Sequence, residues 1–526
     1  MKKKLKEKRK SRNNFETLLS SRRKMLRAVG VSILIGAAAG GVGALYRFTL
    51  AQAETLCFFV YDLLRGRLYL LPVWLIILTG IGFLVGFLVK KCPMASGSGI
   101  PQVKGIITGY FKDSWLFTLV VKFFAGTAAI VSGLSLGREG PSIQLGANLA
   151  DGIAKKLAKS RTEHKVFIAG GAGAGLSAAF NAPLSGVMFT LEEIFKYLSP
   201  FTLLVTTTAA LMSNYVSQMF LGTEPIFNFP VAGYISLGSY WTLIPLGIVT
   251  GLCGAGYNYT LIQIKRLYAK IPLPKIAKPL PVFLIAPIAG ILFPIILGGG
   301  HAIVEKLNFS TGVFFLLAVL VLKFIFSIIS FSSGAPGGIF FPLLIMGAII
   351  GALFGKFAVF TGLSEELFYN FIILAMAGFF TGIVRAPITG IVLLTEMTGT
   401  FDHFLPLSVV CITSYVFAEI AKSKPIYDSL LAEMLDKKEK HKETNEKVII
   451  ETFVHVGSRA EDKPISELNL FHGRLIFSVE RNGNEITPYG GTILMSGDLV
   501  RILCDEGEET SVRKYCEELF ETEYKG

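Results

Sequence analysis

Between about residue 28 and residue 421 the chain is a succession of long apolar stretches, many of them cut by glycine and proline, and this pattern leaves few folds open. The clearest stretches are 28–60, 70–90, 115–135, 166–180, 183–198, 201–221, 239–260, 280–298, 312–331, 339–361, 369–383, 386–398 and 404–421. Several approach the ~20 residues that carry a helix across a bilayer, and others are too short to cross alone. Breaks fall at Gly97 to Pro101, Gly137 to Pro141 and Gly334 to Pro342. Irregular backbone is tolerated at membrane depth only where it lines a cavity or is buried in protein, so short interrupted segments point to an internal binding site. Composition agrees. Only 17% of the 526 residues are charged and 52% are hydrophobic, against roughly 25% charged in ordinary soluble domains. The 55 glycines suit close helix packing.

An internal repeat runs through these stretches. FNAPLSGVMFTLE at 180–192 matches VRAPITGIVLLTE at 384–396, an offset of 204, so Ala182 answers to Ala386 and Glu192 to Glu396. A weaker pair lies upstream at an offset of 201, where Pro141, Gly146 and Ala147 match Pro342, Gly347 and Ala348. Two halves on one plan fit a transporter with its site at their interface. The expected fold is therefore an all-α polytopic membrane protein of two repeats with broken helices. Inversion of the repeats is expected, although sequence alone does not show it.

Charge is unevenly spread. Residues 446–526 carry 16 acidic and 9 Lys/Arg residues, a net −7, which leaves about +20 of the total +13 on residues 1–445. Residues 1–27 hold 12 Lys/Arg against Glu7 and Glu16. Nucleic-acid or anionic-lipid binding is one reading; a cytoplasmic tail obeying the positive-inside rule is preferred, because an apolar span follows at once. A cleaved signal peptide is not expected. The basic stretches Lys155–Lys165 and Lys437–Lys442 are further candidate cytoplasmic loops, which places both termini in the cytoplasm of a multi-pass cell-membrane protein. The six cysteines form no C-x-x-C pair and the six histidines are scattered, so no metal site, disulfide framework or cofactor is expected.

Beyond residue 422 the character changes. Residues 423–436 read as a short amphipathic helix near the cytoplasmic face and 437–446 as a charged linker. Residues 447–526 read as a small α+β domain, with strand-like patterning in KVIIETFVHV and RLIFSVERNGNEITP, a hairpin turn at Asn482-Gly483, another strand in DLVRILCD, and a closing helix from Glu508 to Phe520. The domain plan is thus 1–27 basic segment, 28–436 membrane domain, 437–446 linker and 447–526 cytoplasmic domain.

Four segments carry chemistry: Gly97-Ser98-Gly99-Ile100-Pro101, Gly137-Arg138-Glu139-Gly140-Pro141, Gly337-Gly338-Ile339-Phe340-Phe341-Pro342 and Pro425-Ile426-Tyr427. The first three read as turns opening into apolar helices. A helix start offers free N–H groups and the positive end of the dipole. Several starts converging in a membrane hold an anion without a full positive charge, so that it can also leave.

These segments, with FNAPLSG, its Glu pair and VRAPITG in order, resemble the CLC family of chloride channels and chloride/proton exchangers over roughly residues 28–436. The resemblance implies a homodimer with one anion path per subunit. It gives Ser98, Gly99, Ile339, Phe340 and Tyr427 as anion-binding positions, through the hydroxyls of Ser98 and Tyr427 and the N–H groups of Ile339 and Phe340. It gives Glu139 as an acid that competes with the anion when ionised and swings away when protonated, and Glu193 as the internal proton-transfer acid. A carboxylate mimics an anion, and protonation removes the competition. Family exchangers keep an acid where Glu193 stands and channels generally do not, so exchange is favoured over a passive channel. Ser98 favours chloride over nitrate, whose transporters resemble a Pro variant, and the GREGP motif disfavours fluoride. An exchanger for another anion, and a membrane sensor signalling through its tail, stay open as alternatives; an enzyme is not expected. Glu192 and Glu396 are expected to be structural acids bonded to helix ends or to Arg, and Arg138 and Arg385 to be structural partners. The tail resembles the RCK/TrkA C-terminal regulatory type and departs from the paired CBS domains of larger relatives. That likeness implies dimerisation and a small ligand, cyclic di-AMP in some bacteria.

Overall fold

The computed structural model describes residues 2–526 apart from 197, 225–226, 228–232, 234, 440–446, 469–474, 482–483, 506–508 and 522–526. Of the basic stretch 1–27, side chains are described from Arg23 onward, and most of the 437–446 linker lies outside the described residues. The chain forms two compact units, one of Met1–Ile107 and Phe111–Leu430, the other of Thr108–Tyr110 and Leu431–Gly526.

The membrane unit is built of helices joined by turns and short irregular segments. Its first half runs α1 (Lys2–Gly66), α2 (Leu71–Lys91), α3 (Ile100–Thr108), α4 (Trp115–Val131), α5 (Glu139–Leu157), α6 (Arg161–Phe180), α7 (Pro183–Phe189) and α8 (Pro200–Leu221). The same order returns as α9 (Leu243–Lys270), α10 (Leu280–Leu292), α11 (His301–Glu305), α12 (Val313–Ser332), α13 (Phe340–Phe360), α14 (Phe368–Val384), α15 (Pro387–Thr398) and α16 (Phe404–Ile420). Among the described residues six helices are long and apolar enough to cross a membrane. The span over Glu365–Val384 is mostly enclosed by protein, whereas that over Leu68–Lys91 is mostly exposed, as a lipid-facing helix must be.

The two halves are inverted, and hydrogen bonds show it. Glu192, just past the end of α7, accepts from the N–H groups of Ile388 (3.1 Å) and Thr389 (2.8 Å) at the start of α15. Glu396, in the last turn of α15, accepts from the N–H groups of Leu184 (2.9 Å) and Ser185 (2.7 Å) at the start of α7. Each acid thus satisfies the free donors of the other helix, as expected for this pair, and the two helices must run antiparallel. Gly137 and Gly338, 201 positions apart, likewise donate to each other's carbonyl at 2.7 and 2.8 Å, as segments do when a two-fold axis passes between them. The axis lies across these helices, as it does in transporters built from inverted repeats.

Buried lysines repeat the theme. Lys122 on α4 donates to the carbonyls of Ala95 (3.1 Å) and Gly97 (2.6 Å). Lys323 on α12 donates to those of Ile296 (2.9 Å) and Gly298 (2.8 Å), the positions 201 later. Both side chains are fully buried. They pair with backbone oxygens that the broken helices before α3 and α11 leave without a helical partner, each such charged bond contributing about 1.5–3 kcal/mol. Glycine permits close helix contact: a Cβ on Gly146 of α5 would lie 2.2 Å from the carbonyl oxygen of Gly171 on α6.

Two elements carry detail that the sequence pattern does not show. Along the apolar stretch 183–198, α7 gives way at Thr190–Ile194 to a wider π turn. The segment read as an amphipathic helix at the membrane face is α17 (Ile426–Glu439), and its first turn lies within the core, with Ile426, Tyr427 and Leu430 all buried. Pro425 starts the helix inside the unit, so only its later turns can be amphipathic.

The second unit holds a four-stranded antiparallel sheet of β1 (Lys447–Phe453), β2 (Leu475–Arg481), β3 (Asn484–Ile486) and β4 (Leu499–Asp505) in the order β1-β4-β2-β3. Arg481 pairs with Asn484, so β2 and β3 are joined by two residues; the expected turn residues Asn482 and Gly483 lie outside the described residues. Ile450, Val479, Val500 and Ile502 face α18 (Glu509–Cys516) and the turn after it, where Val512, Cys516 and Phe520 close the core.

Candidate functional site

Three of the broken segments are tied together at the centre of the membrane unit. Beyond the Gly137–Gly338 exchange, Gly337 donates to the carbonyl of Gly97 at 3.0 Å and the Ser96 hydroxyl to that of Gly334 at 2.9 Å. These bonds draw the starts of α5 and α13 onto the loop before α3. Gly140 packs so closely that a Cβ there would lie 2.5 Å from Ser98 Oγ and 2.7 Å from Ser98 O. Gly99 has φ +98°, and a Cβ on it would lie 2.5 Å from Gln144 Oε1, so only glycine suits the position.

The polar atoms at this junction are short of partners. Ser98 Oγ, the Tyr427 hydroxyl and both carboxylate oxygens of Glu139 are buried and make no hydrogen bond to protein of ordinary geometry. Buried polar groups are nearly always bonded. A group of them beside two helix starts, where the N–H groups of Ile339 and Phe340 open α13, is an arrangement that a small anion completes. The Glu139 carboxylate itself lies against the start of α13: a Cβ on Gly137 would be 2.5 Å from Glu139 Oε2 and 3.1 Å from the Phe341 nitrogen. Arg138 Nε stands 3.8 Å from Glu139 Oε1.

Aromatic rings fix the other side. Phe340 packs on Phe180, Phe189 and Phe380 with centroids 5.2, 5.9 and 4.8 Å away, and Phe189 meets Tyr427 edge-on at 6.4 Å. Tyr427 is within electrostatic range of both Glu139 and Glu193. The structure therefore groups Ser98, Gly99, Glu139, Ile339 and Phe340, joins Tyr427 to them through the rings, and sets Glu193 apart. The π turn separates the two adjacent acids, sending Glu192 to α15 and buried Glu193 to Lys104 on α3, whose Nζ lies 2.7 Å from Glu193 Oε1.

Some residues at the site were not singled out in the sequence. A partly open pocket next to Glu139 is lined by Glu54, Arg138, Gly299, His301 and Phe341 among others, and the His301 ring stacks on Phe341 with centroids 4.1 Å apart. The 201 offset was the available signal, since it aligns Gly298 to His301 with Gly97 to Ile100. Arg138, expected to be a structural partner, also lines this pocket. Arg385 is a structural partner, donating to the carbonyls of Tyr415 and Ser423 at 2.7 Å each.

The sequence profile described as Voltage gated chloride channel matches residues 81–419, well over half of the chain. The chain belongs to the voltage-gated chloride channel family. The TrkA-C domain profile matches residues 449–517. Similar to this family member is the H(+)/Cl(-) exchange transporter ClcA of Salmonella paratyphi A, 31% identical over 444 residues that cover 81% of this chain and 93% of that protein. ClcA of Salmonella typhi is 31% identical over 443 residues with the same coverage. Among solved structures, a slow cyanobacterial Cl−/H+ antiporter matches with a TM-score of 0.73 and 30% identity over 78% of this chain and 99% of that one. A CLC-type fluoride/proton antiporter shares the fold, with a TM-score of 0.64 and 24% identity over 76% of this chain and 97% of that one.

Proposed function

We infer that this multi-pass membrane protein exchanges chloride for protons and is a transporter rather than an enzyme. The observation that carries the reading is the Glu139 carboxylate lying on the positive end of α13, where a small anion would otherwise sit. When ionised it occupies the anion's place; when protonated it loses its hold on the helix start and yields. One residue then answers to both ions, which is the minimum that coupled exchange requires. Ser98, Gly99, Ile339, Phe340 and Tyr427 hold the central anion through hydroxyl and backbone N–H groups, and Glu193 carries protons on the opposite side. No cofactor or metal takes part. Residues 28–436 form the transport domain and 447–526 a regulatory one, with both termini cytoplasmic, as the basic segment 1–27 favours.

The working form is a homodimer. Leu184 and Ile388 are exposed at the starts of α7 and α15, beside the only partly buried carboxylates of Glu396 and Glu192. Carboxylates facing lipid are costly, and a second copy over this face removes the cost. Light scattering of the detergent-purified protein should give a dimer's mass; a monomer at working concentrations would remove this part of the reading. The TrkA-C match favours regulation by a small ligand, and cyclic di-AMP is the specific candidate. Calorimetry on the full chain should record its binding and flux should change with it; no heat and no change in flux would discard that ligand.

The test of function is reconstitution in liposomes loaded with chloride, with external pH and chloride followed together. A chloride gradient should drive protons uphill. Chloride release without proton movement would make the protein a channel.

A further inference from the structure

A chain of ion pairs leads away from the central site, and exchange as described above gives it no task. Lys196 Nζ donates to Asp428 Oδ2 at 2.7 Å, Lys104 Nζ donates to Asp428 Oδ1, and the same Nζ donates to Glu193 Oε1 at 2.7 Å. Exposure falls along it, from 44% for the Lys196 side chain and 37% for Asp428 to 6% for Lys104 and 2% for Glu193. The chain thus begins in water and ends at a buried acid. Asp428 directly follows Tyr427, so it also reaches the first turn of α17.

We propose that Lys104 relays protons between Asp428 and Glu193, forming the leg of the proton path opposite Glu139; this rests on reading Glu193 as a proton carrier. A buried ion pair is held at a desolvation cost to both partners. Moving the proton from ammonium to carboxylate leaves a neutral amine and a neutral acid, and burial favours that form more than water does. At 2.7 Å the transfer needs no movement of heavy atoms. One Nζ–H bond of Lys104 breaks, its electron pair stays on nitrogen, and an O–H bond forms on Glu193 Oε1. Asp428 takes a proton from solvent on its carboxylate and passes it to the Lys104 amine, which restores both charges. The same steps run backwards for protons leaving Glu193. Lys196 holds the second oxygen of Asp428 and so keeps the first turned to Lys104. Among the described residues, the charged groups facing Glu193 are Lys104, Asp428 and Lys196, each a member of the chain, and the neutral Tyr427 hydroxyl lies within range of it.

The decisive variant is Lys104→Arg, because a guanidinium keeps the positive charge but does not release its proton in a protein. The readout is the ratio of proton to chloride flux in liposomes. Lys104→Arg and Lys104→Met are each expected to lower that ratio at least about 100-fold, the usual scale for losing a positioned proton donor. Asp428→Asn should lower it in the same direction. A wild-type ratio in Lys104→Arg would mean that the lysine serves only as a cation, and would overturn the relay. Should neither Lys104 variant carry chloride, a wild-type ratio in Asp428→Asn overturns it instead. Glu193→Gln separates the two levels: proton movement surviving there sinks the reading of Glu193 itself, whatever Lys104 does.

Discussion

In liposomes, Glu139→Gln is expected to abolish proton transport, lowering it by at least about 100-fold, while chloride still crosses. Both Glu139 oxygens are buried at the start of α13 and make no hydrogen bond of ordinary geometry to protein, so Gln can take the same place without breaking one. The amide has nearly the shape of the protonated acid, carries no charge to compete with chloride, and has no proton to exchange. The anion path should therefore stay open while the coupling disappears. Chloride efflux with a flat external pH trace would bear this out. A pH trace like that of the unmodified protein would mean that protons travel by another route, and Glu139 would lose its assigned role.

The second large effect is expected from a single methyl group. In Gly140→Ala the new Cβ would fall 2.5 Å from Ser98 Oγ and 2.7 Å from Ser98 O. The hydroxyl can rotate away, but the carbonyl belongs to a backbone that the Gly97–Gly337 bond holds in place. The start of α5 must then part from the 96–99 loop. Overpacking of this kind costs about 1–3 kcal/mol, and it falls on the geometry that brings Ser98 to the helix starts. Chloride affinity by calorimetry should weaken at least about tenfold, the equivalent of roughly 1.4 kcal/mol. Gly256→Ala in α9 is the control, since a Cβ there meets nothing within 4 Å; it should leave affinity alone and add about 0.5–1 kcal/mol of helix stability. Unchanged chloride binding in Gly140→Ala would show that Ser98 is not held against α5 in the way the central site requires.

Much of this arrangement was legible in the chain. Apolar stretches with Gly-Pro breaks dictate a membrane fold with broken helices, because hydrocarbon offers backbone groups no partner. The 204 offset linking FNAPLSG to VRAPITG gave the repeat, and with it the guess that Glu192 and Glu396 bond helix ends or Arg. The four glycine-bracketed segments gave the residues that meet at the centre. Each of these is a local pattern, and local patterns survive in sequence.

Other features became visible only with the fold. The inversion of the halves is a relation between strands of chain some 200 positions apart, and the Gly137–Gly338 and Glu192–Glu396 bonds are what display it. Lys122 and Lys323 look like stray charges in apolar helices until the carbonyls they serve, about 25 residues away, come into view. His301 and Arg138 acquire a shared pocket only because α11 lies against Phe341. The pairing of Glu193 with Lys104 depends on a π turn that rotates it away from its neighbour Glu192, and nothing in Thr-Leu-Glu-Glu-Ile announces that turn. Sequence by itself determined the solvent this protein folds in, its two-fold plan and the segments that gather at the starts of α5 and α13, since periodicity and glycine placement act over a few residues. Tertiary structure alone decided how the halves face each other and which buried charges are paired, since a charge takes its partner from whatever the packed chain brings within about 3 Å.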